Sequence, residues 1–203
     1  MVDFFIMNAK IKRKKKVREK MASYITHTQM ALETYEKLKQ EKILKTEINQ
    51  KLMTTFAHGI DLSNYNELTH TKKTQAFLLQ FLKKVKEEKE QENASIMAML
   101  YGHICHYFLD TTIHPYVYYI EKGTQPVKGQ FINGHTLVEC YLDSYFVKQR
   151  LQKSVFQFPI NEYFTLVPIE CRQALNELYL DVYHLNHVAR NYQITLFFIF
   201  IRY

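Results

Sequence analysis

The stretch His106-Tyr107-Phe108-Leu109-Asp110-Thr111-Thr112-Ile113-His114-Pro115, read together with His135-Thr136-Leu137-Val138-Glu139, decides the architecture. Residues four apart share one face of an α-helix, so His106 with Asp110 and His135 with Glu139 each form a chelating pair. The neighbouring positions are apolar: Leu100, Ile104, Phe108 and Leu109 around the first pair, and Leu137, Val138, Tyr141 and Leu142 around the second. Two His–acid pairs on exposed helices would add only a few tenths of a kcal/mol each, roughly. On helices this apolar, charged groups need a partner or a metal ion. With His114 a turn beyond Asp110, five nitrogen and oxygen donors arise from two short segments, more than one tetrahedral zinc site uses. Pro115 disfavours helical geometry at the preceding residue, so His114 is expected at a helix end or in the connection.

Working outward, helical periodicity predominates. Residues 24–44 place Ile25, Met30, Leu32, Tyr35 and Leu38 among charges, and residues 47–57 continue as a second helix. His58–Asn66 reads as a loop through its Gly, Asp, Ser and Asn content. In Thr71–Gln91 the apolar residues Phe77, Leu78, Phe81, Leu82 and Val85 recur at helical spacing, and Ala94–Leu109 reads as a buried central helix. Residues 123–134 form a loop, a helix follows from about Gly134 to Leu151, and Glu170–Asn186 is expected to be the last helix. With Gly 5 and Pro 4 in 203 residues, a turn-rich β-sandwich is excluded. The expected fold is all-α: a single-domain helical bundle with a metal cluster in a cleft between helices. Its expected division is 1–20, a basic extension; 21–195, the metal-binding domain; and 196–203, an apolar C-terminal tail.

The net charge of +7 is unevenly placed, because residues 10–20 hold eight of the 27 basic residues and one acid. That block reads as a solvated tail, and basicity says little about nucleic acid as a partner. Cys105, Cys140 and Cys171 form no CxxC pair, which argues against a disulfide scaffold. Cys105 and Cys140 fall about 100° around a helix from the neighbouring donors and read as spectators. The Leu196–Ile201 run is far shorter than the roughly 20 apolar residues of a membrane span. The N-terminus lacks the order of a signal peptide, so a cytoplasmic location is expected, with peripheral membrane contact open. His58, His103 and Asp143 read as polar groups that either support the donors or serve the fold. His184 and His187 read as residues of an exposed helix with no role.

Taken together, Gly102-His103-Ile104-Cys105-His106-Tyr107-Phe108-Leu109-Asp110-Thr111-Thr112-Ile113-His114-Pro115-Tyr116 and Gly134-His135-Thr136-Leu137-Val138-Glu139 resemble the bacterial zinc-dependent phospholipase C family. Upstream, Tyr24-Ile25-Thr26-His27 and Phe56-Ala57-His58-Gly59-Ile60-Asp61 through His70 fall in the order that resemblance requires. The resemblance covers about residues 21–150 and implies a helical bundle with two or three zinc ions. By position it implies that Asp61, His70, His106 and Asp110 hold one ion, and that His114, His135 and Glu139 hold a second. His27 would bind a third, bridged to the first by Asp110. In secreted members an N-terminal Trp completes that third site. This chain has Trp 0, so another group such as water would take its place.

The implied chemistry is phosphodiester hydrolysis, with a metal-activated water attacking phosphorus and Asp61, an exposed carboxylate, orienting or deprotonating it. A phospholipid is the implied substrate. Two alternatives stand beside it: a soluble phosphoesterase or nuclease-like enzyme, for which nucleic acid is the less favoured partner, and a non-catalytic helical module stabilised by metal.

Overall fold

The computed structural model describes residues 24–63, 65, 68, 72–87, 90–123 and 134–202. The basic block at 10–20, the expected loop over 124–133 and His70 lie outside the described residues. Among the described residues there are no strands, so the fold is all-α. The α-helices are α1 (Tyr24–Gln40), α2 (Gln50–Phe56), α3 (Thr74–Glu87), α4 (Glu90–Gly123), α5 (Gly134–Phe146), α6 (Ile169–Tyr183) and α7 (Val188–Arg202). Short 3-10 turns occupy Gly59–Leu62, Val155–Gln157 and Ile160–Tyr163, and α5 ends in a π-turn, Val147–Leu151. No described helix is long and apolar enough to cross a membrane.

The chain divides into two compact units. One comprises the residues up to Thr26 with Thr112–Phe158, and the other His27–Thr111 with Pro159–Tyr203. In the larger unit, α3 packs on α6 and α6 on α7, while the 3-10 turn Gly59–Leu62 packs against α2 and α7. Its core is built from Leu52, Met53, Phe56, Phe77, Phe81, Met99, Leu175, Leu178, Tyr179, Tyr192 and Leu196, all buried. Burial on this scale is the main force holding such helices, since isolated ones of this length are marginal in water. Gly102 on α4 makes the crossing with α2 close, because a Cβ there would lie 2.4 Å from the Met53 carbonyl oxygen. Lys73 caps the last turn of α6 by donating from Nζ to the Val182 carbonyl at 2.8 Å. In the smaller unit, buried Asp143 on α5 accepts from the backbone N–H groups of Ile25 (3.3 Å) and Thr26 (2.9 Å), which are orphan donors at the start of α1.

Three expectations need correction. The central helix does not stop near His114: α4 continues through Pro115 to Gly123. A proline removes one N–H and crowds the preceding turn, and both Pro115 and Thr111, whose carbonyl loses its partner, lie on an exposed part of the helix where water can compensate. Glu170–Asn186 does not hold the last helix, because α7 follows and the Leu196–Ile201 run forms its final turns, with Leu196 and Ile199 buried. His184 and His187 are exposed, but they lie in the α6–α7 connection at φ 59° and 62°, with His184 in left-handed geometry as the C-cap of α6.

Candidate metal centre

Among the described residues two groups of three donors form, each between two helices and each with its ligand atoms within 4.8 Å of one another. The first is His27 of α1 with His106 and Asp110 of α4, all buried. Asp110 Oδ1 lies 3.2 Å from His27 Nε2, and Oδ2 lies 3.2 Å from His106 Nε2. One carboxylate thus turns each of its oxygens to a different imidazole. The two rings stack with centroids 4.7 Å apart. Behind His106, Nδ1 donates to the Ala57 carbonyl at 3.2 Å, which leaves Nε2 with its lone pair directed at the group.

Gly59 explains how the loop and the helix meet. Its φ is +45°, and a Cβ there would lie 2.6 Å from His106 Cγ, so only glycine permits both the turn and the seating of the ring. Asp61 follows within the same 3-10 turn, where it is half-buried rather than exposed as expected. Among the described residues Asp61 is not one of the three gathered donors, but its charge acts on His106. Burial alone would make His106 harder to protonate. The bond and charge of Asp110, the charge of Asp61 and the Ala57 carbonyl outweigh it and hold the imidazole at about 9.

The second group is His114 of α4 with His135 and Glu139 of α5, all half-buried. Glu139 Oε1 lies 3.1 Å from His135 Nε2 and 3.6 Å from His114 Nε2. Helical continuity through Pro115 is what places His114 here, one turn after Asp110. Sequence reasoning missed Glu121. It stands 3.6 Å from His135 Nδ1 through Oε2 and accepts the His135 backbone N–H at 3.2 Å through Oε1. It therefore both orients the imidazole and satisfies an orphan donor of α5. The only available signal was an acid near the end of an apolar helix, which does not announce a histidine partner 14 residues further along the chain. The hydrogen bond to Glu139 leads the effects that raise His135 above its usual range. Glu139 is lowered, because its bonds to His114 and His135 outweigh the effect of burial.

The supporting residues sort by contact. His58 is buried, meets the Thr28 hydroxyl at 3.1 Å and packs at a tilt against the Phe164 ring. Burial, then the neighbouring charges of His27 and His106, hold it neutral well below its ordinary value. His103 is a core histidine: Nδ1 lies 2.8 Å from the Met99 carbonyl, Nε2 meets Tyr192, and burial pushes it down to about 4. Burial pushes the Cys105 thiol up to about 11, so it stays protonated and is no thiolate donor.

The donor sets fit zinc, which takes imidazole nitrogen and carboxylate oxygen in such numbers. Among the described residues His27 Nδ1 is buried with no hydrogen-bond partner. The family model for zinc dependent phospholipase C matches residues 26–189. The chain belongs to that family. The match takes in both donor groups and five of the seven helices over their full length. No curated protein and no solved structure matches the chain.

Proposed function

We propose that this zinc-dependent phospholipase C family protein hydrolyses the phosphodiester bond of a phospholipid, releasing a phosphorylated headgroup. The observation that carries the reading is the plan repeated in both donor groups. A carboxylate stands opposite two imidazole Nε2 atoms, and one imidazole in each group is backed at Nδ1, by Ala57 in one and Glu121 in the other. Surface ion pairs have no need of that second layer, whereas metal-binding imidazoles use it to fix tautomer and direction.

In this reading Asp110, whose two oxygens face different imidazoles, would hold zinc together with His27 and His106, and Asp61 and His70 would complete the set around His106. His114, His135 and Glu139 would hold zinc at the other group. Zinc, when bound, supplies Lewis-acid stabilisation of the phosphoryl oxygens and a more acidic water. Asp61, half-buried and beside the buried donors, accepts the proton of the attacking water and holds that water in line with phosphorus. His58, kept neutral, adds no cation to compete with zinc for the donors around it.

The test is headgroup release from phospholipid by the full chain with zinc and with chelator. Zinc-dependent release is expected, and Asp61→Asn should lower turnover by a factor of about 10²–10⁴ while zinc stays bound. A zinc-loaded protein inert on phospholipid would overturn the lipid reading. Cleavage of a dinucleoside phosphate without cleavage of lipid would move the activity to the nuclease-like alternative.

A further inference from the structure

Phe156 is 96% exposed, although it sits in a well-formed turn. Ser154 accepts from the Phe156 N–H, and Gln157 Oε1 accepts from the Ser154 N–H at 3.0 Å, so a capping box closes on both sides of the phenyl ring. The turn is tied down by Val147 before it and Phe158 after it, both buried. Leu151, 37% exposed, lies between two left-handed or π-type backbone features: the π-turn Val147–Leu151 that it ends, and Gln152 at φ 52°. Lys148, Arg150 and Lys153 are all exposed, and residues 144–158 contain no acid. Upstream on α5, Tyr145 is also exposed.

We infer that the segment Tyr145–Phe156 is a docking surface for an anionic phospholipid bilayer, with Phe156 and Leu151 entering the acyl boundary and Lys148, Arg150 and Lys153 meeting lipid phosphates. Phe156 and Leu151 stand exposed within one acid-free segment that also carries three exposed cations, and it is this combination, not a lone phenyl ring, that points to an apolar phase outside the chain. The flanking charge selects which phase. Cations beside an inserted aromatic match a negatively charged headgroup layer, and tyrosine suits the interface because one end is apolar and the other polar. A phenyl and an isobutyl group, neither with a hydrogen-bonding tip, fit hydrocarbon better than the polar groove of a nucleic acid. The inference rests on the phospholipase reading in one respect, that the surface bound is made of phospholipid. It gives the protein a means of reaching a substrate that does not leave the bilayer.

Binding and turnover are tested separately on the full zinc-loaded chain. Co-sedimentation is measured with phosphatidylcholine vesicles and with phosphatidylcholine–phosphatidylserine vesicles, and hydrolysis with a water-soluble phosphorylcholine ester. Wild type is expected to sediment more with the anionic vesicles. Phe156→Ser should lower partitioning about tenfold on either vesicle, the scale of burying one phenyl group. Lys148→Glu with Lys153→Glu should lower it only where phosphatidylserine is present, by roughly fivefold or more per residue. Ester hydrolysis should be unchanged in all of them, because none of these residues adjoins a donor. Vesicle binding indifferent to Phe156→Ser would overturn the inference. A change in oligomeric state with vesicle binding intact would overturn it too, by assigning the surface to a second copy. A chain that binds vesicles through Phe156 yet cuts neither the ester nor any phospholipid would support the docking surface and refute the hydrolase reading.

Discussion

The two donor groups share a design and differ in burial. In the α1–α4 group the side chains of His106, His27 and Asp110 are 3%, 5% and 8% exposed. In the α4–α5 group the side chains of His135 and His114 are 24% and 26% exposed, and that of Glu139 is 15%. The buried group is backed by a main-chain carbonyl fixed by the fold, Ala57, and the half-buried one by a movable carboxylate, Glu121. Water screens the second group and scarcely reaches the first, so the same charges interact far more strongly in one than in the other. The buried group should therefore be tightly coupled to folding and to protons, while the other should exchange metal with less consequence for the protein.

The largest expected contrast is in the metal-free protein. Asp110→Ala leaves an imidazolium buried without its carboxylate and should lower unfolding free energy by about 3–5 kcal/mol, whereas Glu139→Ala, partly solvated, should lose about 1 kcal/mol. Denaturant titration in chelator measures both, and equal losses would remove the contrast. Next is Gly59→Ala. The new methyl meets His106 at a backbone φ that L-residues avoid, so about 2 kcal/mol of stability should go together with zinc from the buried group. Zinc at the half-buried group should survive.

The pH dependence has a definite sign. His106, raised to about 9 in the folded chain against an ordinary 6.5, stabilises the metal-free protein fully below about pH 6.5 and loses that contribution as pH climbs through 9. His135, also raised, works in the same direction. Glu139, lowered, contributes above the ordinary carboxylate range and loses its share on acidification. Zinc requires neutral imidazole, so the loaded protein should follow the opposite trend, gaining stability as pH rises from 6 towards 9. Thermal unfolding across that range, with and without zinc, should give slopes of opposite sign, and parallel slopes would refute the coupling. The smallest effect is Glu121→Gln, which should weaken zinc at the half-buried group by about tenfold and leave the buried group untouched.

Much of this was open to inspection before any coordinates. The pairs His106–Asp110 and His135–Glu139 follow from helical spacing alone, and so does the all-α fold. What spacing cannot show is a partner from another segment. His27 meets Asp110 only because α1 lies beside α4, and a periodicity reading leaves it a lone histidine. Pro115 misled for a related reason: the local preference against helix at His114 is real, but it was overridden within a 34-residue helix. Gly59 looked like a loop breaker, and its closeness to the His106 ring depends on tertiary packing. His70 lies outside the described residues, so its membership in the set rests on the resemblance.

Zinc content by elemental analysis tests the central claim most directly, on wild type, His106→Ala and His135→Ala. Two or three ions per chain are expected in wild type. Each variant should lose zinc, and the two should lose it from different groups, with the greater loss of thermal stability in His106→Ala. Zero or one ion in wild type, unaffected by either substitution, would contradict the account of both groups as zinc sites.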